Sequence, residues 1–255
     1  MRSWRDDLTV VVGFYSRLPV PPIRHGINLA EAVWIVPIAS LVIALPAALG
    51  LGIAASLGAP PLFTAIVAVA AGLIATGGLH EDGFADCFDG FWGGHTHPRR
   101  LEIMRDSRLG TYGVLALMMA VLAKVALVEA ALAEGTGAAM CIVLAGAVAG
   151  RTVALYPWVG LPHAREDGIA RTIGRPRGSV FRTALVLGIL VTAALTIWQT
   201  IFGFVVAGIV SAVVAIGAAR LAERKIGGHT GDVIGAAVVA GELAYLATII
   251  IWLGA

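Results

Sequence analysis

Charge is what this 255-residue sequence has least of: Asp, Glu, Lys and Arg make up 13% of it, against a hydrophobic fraction of 58% and a mean hydropathy of +0.89. A soluble domain carries roughly a quarter charged residues. The water-soluble globular class is therefore excluded, and lipid is the expected solvent for most of the surface. Cysteine is nearly absent. Cys87 and Cys141 lie far apart and outline no disulfide framework. A cleavable leader is not expected, because the one short apolar stretch near the start, LTVVVGFY, runs into Arg17 and a proline cluster. Internal repeats and low-complexity segments are also missing, so one integral-membrane domain over 1–255 is expected.

What is present is a series of apolar runs. Seven approach the ~20 residues that a membrane-crossing helix needs: 32–57, 61–79, 111–133, 138–158, 183–200, 202–219 and 233–253. The expected fold is all-α, a polytopic bundle of about seven transmembrane helices, with abundant Gly and Ala allowing close helix approach. The cations sort the loops. Sixteen of the eighteen Lys and Arg fall in four segments, 2–24, 99–108, 165–182 and 220–225. The intervening loops at 58–60, 134–137 and 199–203 carry none. The positive-inside rule then puts all four basic segments in the cytoplasm. Every polar cluster lands on that same side. A transporter more often spreads polar residues through its spans, whereas an enzyme acting on cytosolic substrates gathers them on one face.

The densest cluster is HEDGFADCFDG, residues 80–90. If the second apolar run continues as helix past Leu79, Asp82, Asp86 and Asp89 stand at i, i+4 and i+7 on one helical face. Like charges at that spacing repel, and the penalty grows beside lipid. Protonation, arginine partners or a divalent cation would relieve it. Oxygen-only ligands suit Mg²⁺ or Mn²⁺, which bind through a few carboxylates plus substrate phosphates. The plainer reading is a solvated acidic face paired with Arg99 to Arg108. His80 is a candidate ligand or proton carrier, or a structural residue. His95 and His97 lack the partners a zinc site needs.

Two further clusters suit anions. MRDSRLGTYG places Arg105, Asp106, Ser107 and Arg108 before the third span, where an arginine pair fits phosphate recognition or interfacial anchoring. KIGGHTGD, with Gly228, Thr230, Gly231 and Asp232, is a glycine-rich turn that can form an anion-holding nest before the last helix. Asp232 can equally be the N-cap of that helix. Within the spans, Lys124, Arg151 and Glu242 are costly unless paired or facing a wet cavity. Arg151 and Glu242 form either an ion pair or two walls of one pocket, and Glu129, near the outer end of its span, either snorkels out or pairs with Lys124. The Arg-rich loop 163–182 suits anionic lipid or attraction of a polyanionic substrate.

Taken together, FYSRLPVP (14–21), GGLHEDGFAD (77–86), MRDSRLGTYG (104–113), Arg151, GGHTGD (227–232) and Glu242 resemble the cobalamin synthase family. The matching pieces run in order through nearly the whole chain. The resemblance implies a Mg²⁺-dependent enzyme of a bacterial cytoplasmic (inner) membrane, with its active-site loops facing the cytoplasm. It would join adenosylcobinamide-GDP to α-ribazole or its 5′-phosphate and release GMP. Asp82, Asp86 and Asp89 would hold the metal. Arg105, Ser107, Arg108, Gly228, Thr230, Gly231 and Asp232 would hold phosphate, with Arg151 and Glu242 toward the substrate. Asp106 or Asp89 would accept the proton, with His80 as the alternative. Nucleic acid is not an expected partner, and the oligomeric state stays open. Two rivals are a CDP-alcohol phosphotransferase, whose Ala-Arg after the first Asp-Gly is replaced here by Phe84-Ala85-Asp86, and a cation transporter lined by Lys124, Arg151 and Glu242.

Overall fold

Ser3 and Asp6 form a reciprocal capping box that starts α1 (Trp4–Tyr15), whose Val10, Val11 and Tyr15 turn inward. The computed structural model describes residues 3–23, 26–165 and 173–254. Arg2, Arg24, Arg171 and the 166–172 part of the Arg-rich loop lie outside the described residues. After α1 come α2 (Leu29–Ala32), α3 (Val36–Ser56), α4 (Pro61–Thr76), α5 (Leu79–Gly93) and α6 (His97–Ile103). The second half holds α7 (Thr111–Ala131), α8 (Thr136–Val153), α9 (Leu155–Gly160), α10 (Gly178–Thr196), α11 (Ile201–Ile226) and α12 (Gly231–Leu253).

The fold is all-α, and the chain is a multi-pass membrane protein. Among the described residues, six helical segments are long and apolar enough to cross a membrane, or seven when α4 and α5 count as one broken span. That pair departs from the expected continuous run. Gly77 and Gly78 both adopt left-handed backbone angles, φ 65° and 69°, so α4 ends at Thr76 and α5 sets off at 88° to it. A Cβ on Gly77 would also press within 2.8 Å of the Arg17 side chain. The acidic residues therefore occupy a separate helix lying across the end of the bundle.

α11 runs further than the expected span, carrying Arg220, Arg224 and Lys225 on its last two turns. Lys225 Nζ donates to the Phe91 carbonyl at 3.0 Å, and Arg100 donates to the Lys225 carbonyl at 2.8 Å. These bonds clamp the basic end of α11 onto α5 and α6.

α12 is the central post, packed by α5, α7, α8 and α11. Ile142 and Val143 of α8 meet Leu246 and Ile249 of α12 in a dry core shared with α3 and α4. Small residues set the distance: a Cβ on Gly150 would lie 2.7 Å from the Val238 carbonyl oxygen. A second cluster joins α1, α3 and Trp158, and a third ties Cys87, Phe91 and Met104 to Ala222, Ile226 and Val233.

Candidate active site

The site is built where α5 crosses the start of α12. Gly83 and Gly235 carry no side chain at the crossing, and a Cβ on Gly235 would stand 3.2 Å from the His80 carbonyl oxygen. The backbones therefore touch, and the acidic face of α5 is carried up to Asp232. Asp86 reports the crowding. Burial, then Asp232, then Asp82 push its carboxyl up to about 7, with Arg165 acting in the opposite direction. The acidic group at the crossing is thus Asp82, Asp86 and Asp232. Thr230, not Asp232, caps α12, its hydroxyl accepting the Val233 N–H at 3.4 Å. Asp232 accepts the Thr230 hydroxyl at 3.1 Å and lies 3.5 Å from Arg165.

Asp82, Gly231 and Asp232 line a cavity of about 800 Å³ together with Tyr15, Arg17 and His80. Glu81, Ser16 and Thr76 also line it, and its apolar walls come from Phe14, Leu109, Leu117, Trp158, Ile173 and Ile234. His80 is buried, its ring 5.6 Å from that of Tyr15, and its Nε2 has no partner. Burial, with Arg151 and Lys124 nearby, pushes the imidazole well below its usual range, so it is neutral.

Asp89 shares the acidic face by spacing but has different partners. Its two oxygens accept the Gly110 N–H at 2.7 Å and the Gly113 N–H at 2.8 Å. It thus satisfies the open amide end of α7, where a carboxylate is also favoured by the helix dipole. Among the described residues, no group of three or more His, Cys, Asp and Glu side chains could hold a metal ion by itself.

The MRDSR segment is folded on itself. Arg108 pairs with Asp106 at 2.7 Å and holds that carboxyl down at about 2, which makes Asp106 a weak proton acceptor. Both border a second, more open cavity of about 500 Å³ with Asp89, Arg99 and Tyr112. Arg105 and Ser107 are exposed and line neither cavity. The GGHTGD turn is not an open nest either. The His229 N–H donates to the Pro162 carbonyl at 2.9 Å, and Gly228 lies so close that a Cβ would overlap that oxygen.

Below His80 a pocket of only about 30 Å³ is lined by Glu81, Lys124, Arg151 and Glu242. Lys124 pairs with Glu242 at 2.9 Å, which sets aside the Glu129 alternative for its partner. Arg151 donates to the Ala147 carbonyl at 3.2 Å, so Arg151 and Glu242 are walls of one pocket and not a direct pair. Sequence reasoning missed Arg17, Tyr15 and Arg165 as neighbours of the acids. Arg17 sits inside the FYSRLPVP motif, a signal that could have found it. Arg165 is one of several arginines in its loop, with nothing local to single it out.

Residues 7–250 match the family model described as Cobalamin-5-phosphate synthase. A protein of Sinorhizobium medicae named adenosylcobinamide-GDP ribazoletransferase is 39% identical over 96% of each chain. Proteins of the same name are 40% identical in a Sinorhizobium species, over 94% of each chain, and 39% identical in Bradyrhizobium diazoefficiens, over 96% of this chain and 94% of the relative. No solved structure matches.

Proposed function

The chain belongs to the cobalamin-5-phosphate synthase family, and on that premise we propose that it is an adenosylcobinamide-GDP ribazoletransferase. It joins adenosylcobinamide-GDP to α-ribazole, or to α-ribazole 5′-phosphate, and releases GMP. In both cases a ribose hydroxyl other than the 5′ one, which is already esterified in the second acceptor, forms a bond to the cobinamide-linked phosphorus. The bond between the two phosphates breaks, GMP leaves, and the hydroxyl proton passes to a base. Membership in this family also sets aside the phospholipid-synthesis and transporter readings.

The observation that carries the site is the convergence of Asp82, Asp86 and Asp232 where α5 crosses α12, with Asp82 and Asp232 lining the cavity of about 800 Å³. Their donor set is oxygen only, and burial, then the charges of Asp232 and Asp82, raise the carboxyl of Asp86 against the pull of Arg165. This fits Mg²⁺, which takes a few carboxylates and completes its shell with water and phosphate oxygens. Asp82 and Asp232, which line the cavity, would hold it together with phosphate oxygens, with Asp86 behind them and Asp89 moved out of the proposed ligand set. Bound there, Mg²⁺ would neutralise charge on the phosphate oxygens. Arg17 borders the same space and offers a fixed positive charge to phosphate. The apolar walls suit the benzimidazole of the ribazole. Of the proton acceptors weighed above, His80 is the one that lines this cavity.

The proposed location is the bacterial cytoplasmic membrane, with the cavity facing the cytoplasm. The contacts of Lys225 with Phe91 and Arg100 gather two basic segments at the α5 end of the bundle, as the positive-inside rule requires of one face. The test is GMP release by purified protein given adenosylcobinamide-GDP, α-ribazole and Mg²⁺, beside the same mixture with EDTA. Release is expected only with the metal, and none is expected from Asp82→Asn. Turnover in EDTA, or at the wild-type rate in that variant, would remove the metal-site reading.

A further inference from the structure

We propose that Arg165 is the arginine that grips the diphosphate of the nucleotide substrate, and that the GGH part of GGHTGD is the clasp that aims it. The assignment rests on the transfer reaction proposed above. Arg165 stands behind the cavity wall at Asp232, its Nη2 3.5 Å from Asp232 and 3.3 Å from the Leu101 carbonyl. The first distance is long for a charge-assisted pair. Its Nε is buried and has no partner at all. An arginine held 17% exposed with a spare donor is fixed in direction but not used up. Its planar fork matches two phosphate oxygens at once. By contrast Arg108 is closed onto Asp106 and exposed, and Arg105 is exposed beside it.

What fixes Arg165 is a short parallel bridge between His163 and His229. The Ala164 N–H donates to the His229 carbonyl at 2.9 Å, the two imidazoles lie 4.7 Å apart, and His229 Nδ1 stands 3.0 Å from the Pro162 carbonyl. Gly228 is the hinge of this clasp, because any side chain there would overlap the Pro162 oxygen. The glycine-rich turn therefore serves phosphate at one remove: it seats the segment that carries Arg165, and does not bind anions with its own amides.

The test compares wild type with Arg165→Ala, Arg165→Lys and Gly228→Ala in detergent, after confirming monodisperse elution and a cooperative melt. Three quantities are read: the Kd for GDP with Mg²⁺, the KM for adenosylcobinamide-GDP, and the Kd for Mn²⁺ without nucleotide. Arg165→Ala should raise the first two by about tenfold to a hundredfold, the loss expected for a charged hydrogen bond. It should at the same time tighten Mn²⁺, because Asp232 loses a competing cation. Arg165→Lys should recover part of the nucleotide affinity as a point charge. Gly228→Ala should weaken GDP with the arginine still in place. Wild-type GDP affinity in Arg165→Ala would overturn the proposal, and so would Mn²⁺ binding that weakens in parallel, since that marks a merely structural prop. If Arg165→Ala does not fold, Arg165→Lys and Gly228→Ala binding GDP as wild type does would overturn it equally. A wild-type protein that binds GDP in no condition and releases no GMP would instead sink the reaction reading itself.

Discussion

Gly83 and Asp232 meet backbone to backbone: a Cβ on Gly83 would lie 2.8 Å from the Asp232 Cα. This contact registers α5 against α12 and so sets how closely Asp82 and Asp86 face Asp232. Gly83→Ala must part the two helices, since the obstructing atoms are main chain and cannot swing aside. Overpacking of this kind costs about 1–3 kcal/mol. GMP release should fall by at least ~10-fold, well beyond what that loss of stability explains. A variant with wild-type turnover would show that the spacing of the two helices is not what the reaction needs.

Asp89 gives a second, opposite kind of expectation. Because its oxygens serve the Gly110 and Gly113 amides, Asp89→Ala should loosen the start of α7 at a cost of about 1–3 kcal/mol. Hydrogen exchange at those two amides should accelerate. The affinity for Mn²⁺ should stay near that of wild type. Loss of Mn²⁺ binding with unchanged exchange would return Asp89 to the metal-ligand set.

The Lys124–Glu242 pair lies inside the bundle, with side chains 23% and 9% exposed. Removing one partner strands the other, at a typical cost of about 3–5 kcal/mol. Lys124→Met should lower the melting temperature in detergent markedly, and Glu242→Gln in the same chain should restore much of it. An additive loss in the double variant would mean that the two residues are not energetically coupled.

His229 makes the clasp sensitive to acid. Burial and the neighbouring His163 lower its imidazole to about 4, against an unfolded value of roughly 6.5. Between those values the unfolded chain binds the extra proton. The stability it contributes is therefore fully present above about pH 6.5 and is lost as pH falls toward 4. Thermal melts from pH 7.5 to 4.5 should show this decline, and His229→Gln should flatten it. An equal decline in the variant would assign the acid lability elsewhere.

The parts of this fold that depend on local pattern were legible in the sequence. Lipid-length apolar runs announce themselves, and Asp82 and Asp86 share a helix face by spacing alone. The elbow at Gly77 and Gly78 was not legible, because in a Gly- and Ala-rich run two more glycines read as packing residues. Asp232 joining the acids depends on a crossing of two helices far apart in the chain, which no local pattern encodes. The same holds for the diversion of Asp89 to α7. Lone charges inside spans are visible as costly, but hydropathy cannot pair them. Arg151 and Glu242 looked like natural partners until Lys124 took the carboxylate.

The elbow after α4 also bears on the lipid itself. A helix of 16 residues rises only ~24 Å, about 6 Å less than the hydrocarbon core it has to cross. Such a deficit is met by thinning of the adjacent leaflet. Where α4 crosses the bilayer, such thinning would bring the headgroup layer toward Gly77 and toward the opening near Arg17 and Asp82. A nucleotide arriving from water and a bulky partner resting at the bilayer surface would then meet at one depth. Bilayer thickness thus becomes a variable of the reaction, and short-chain and long-chain liposomes offer a way to tune it.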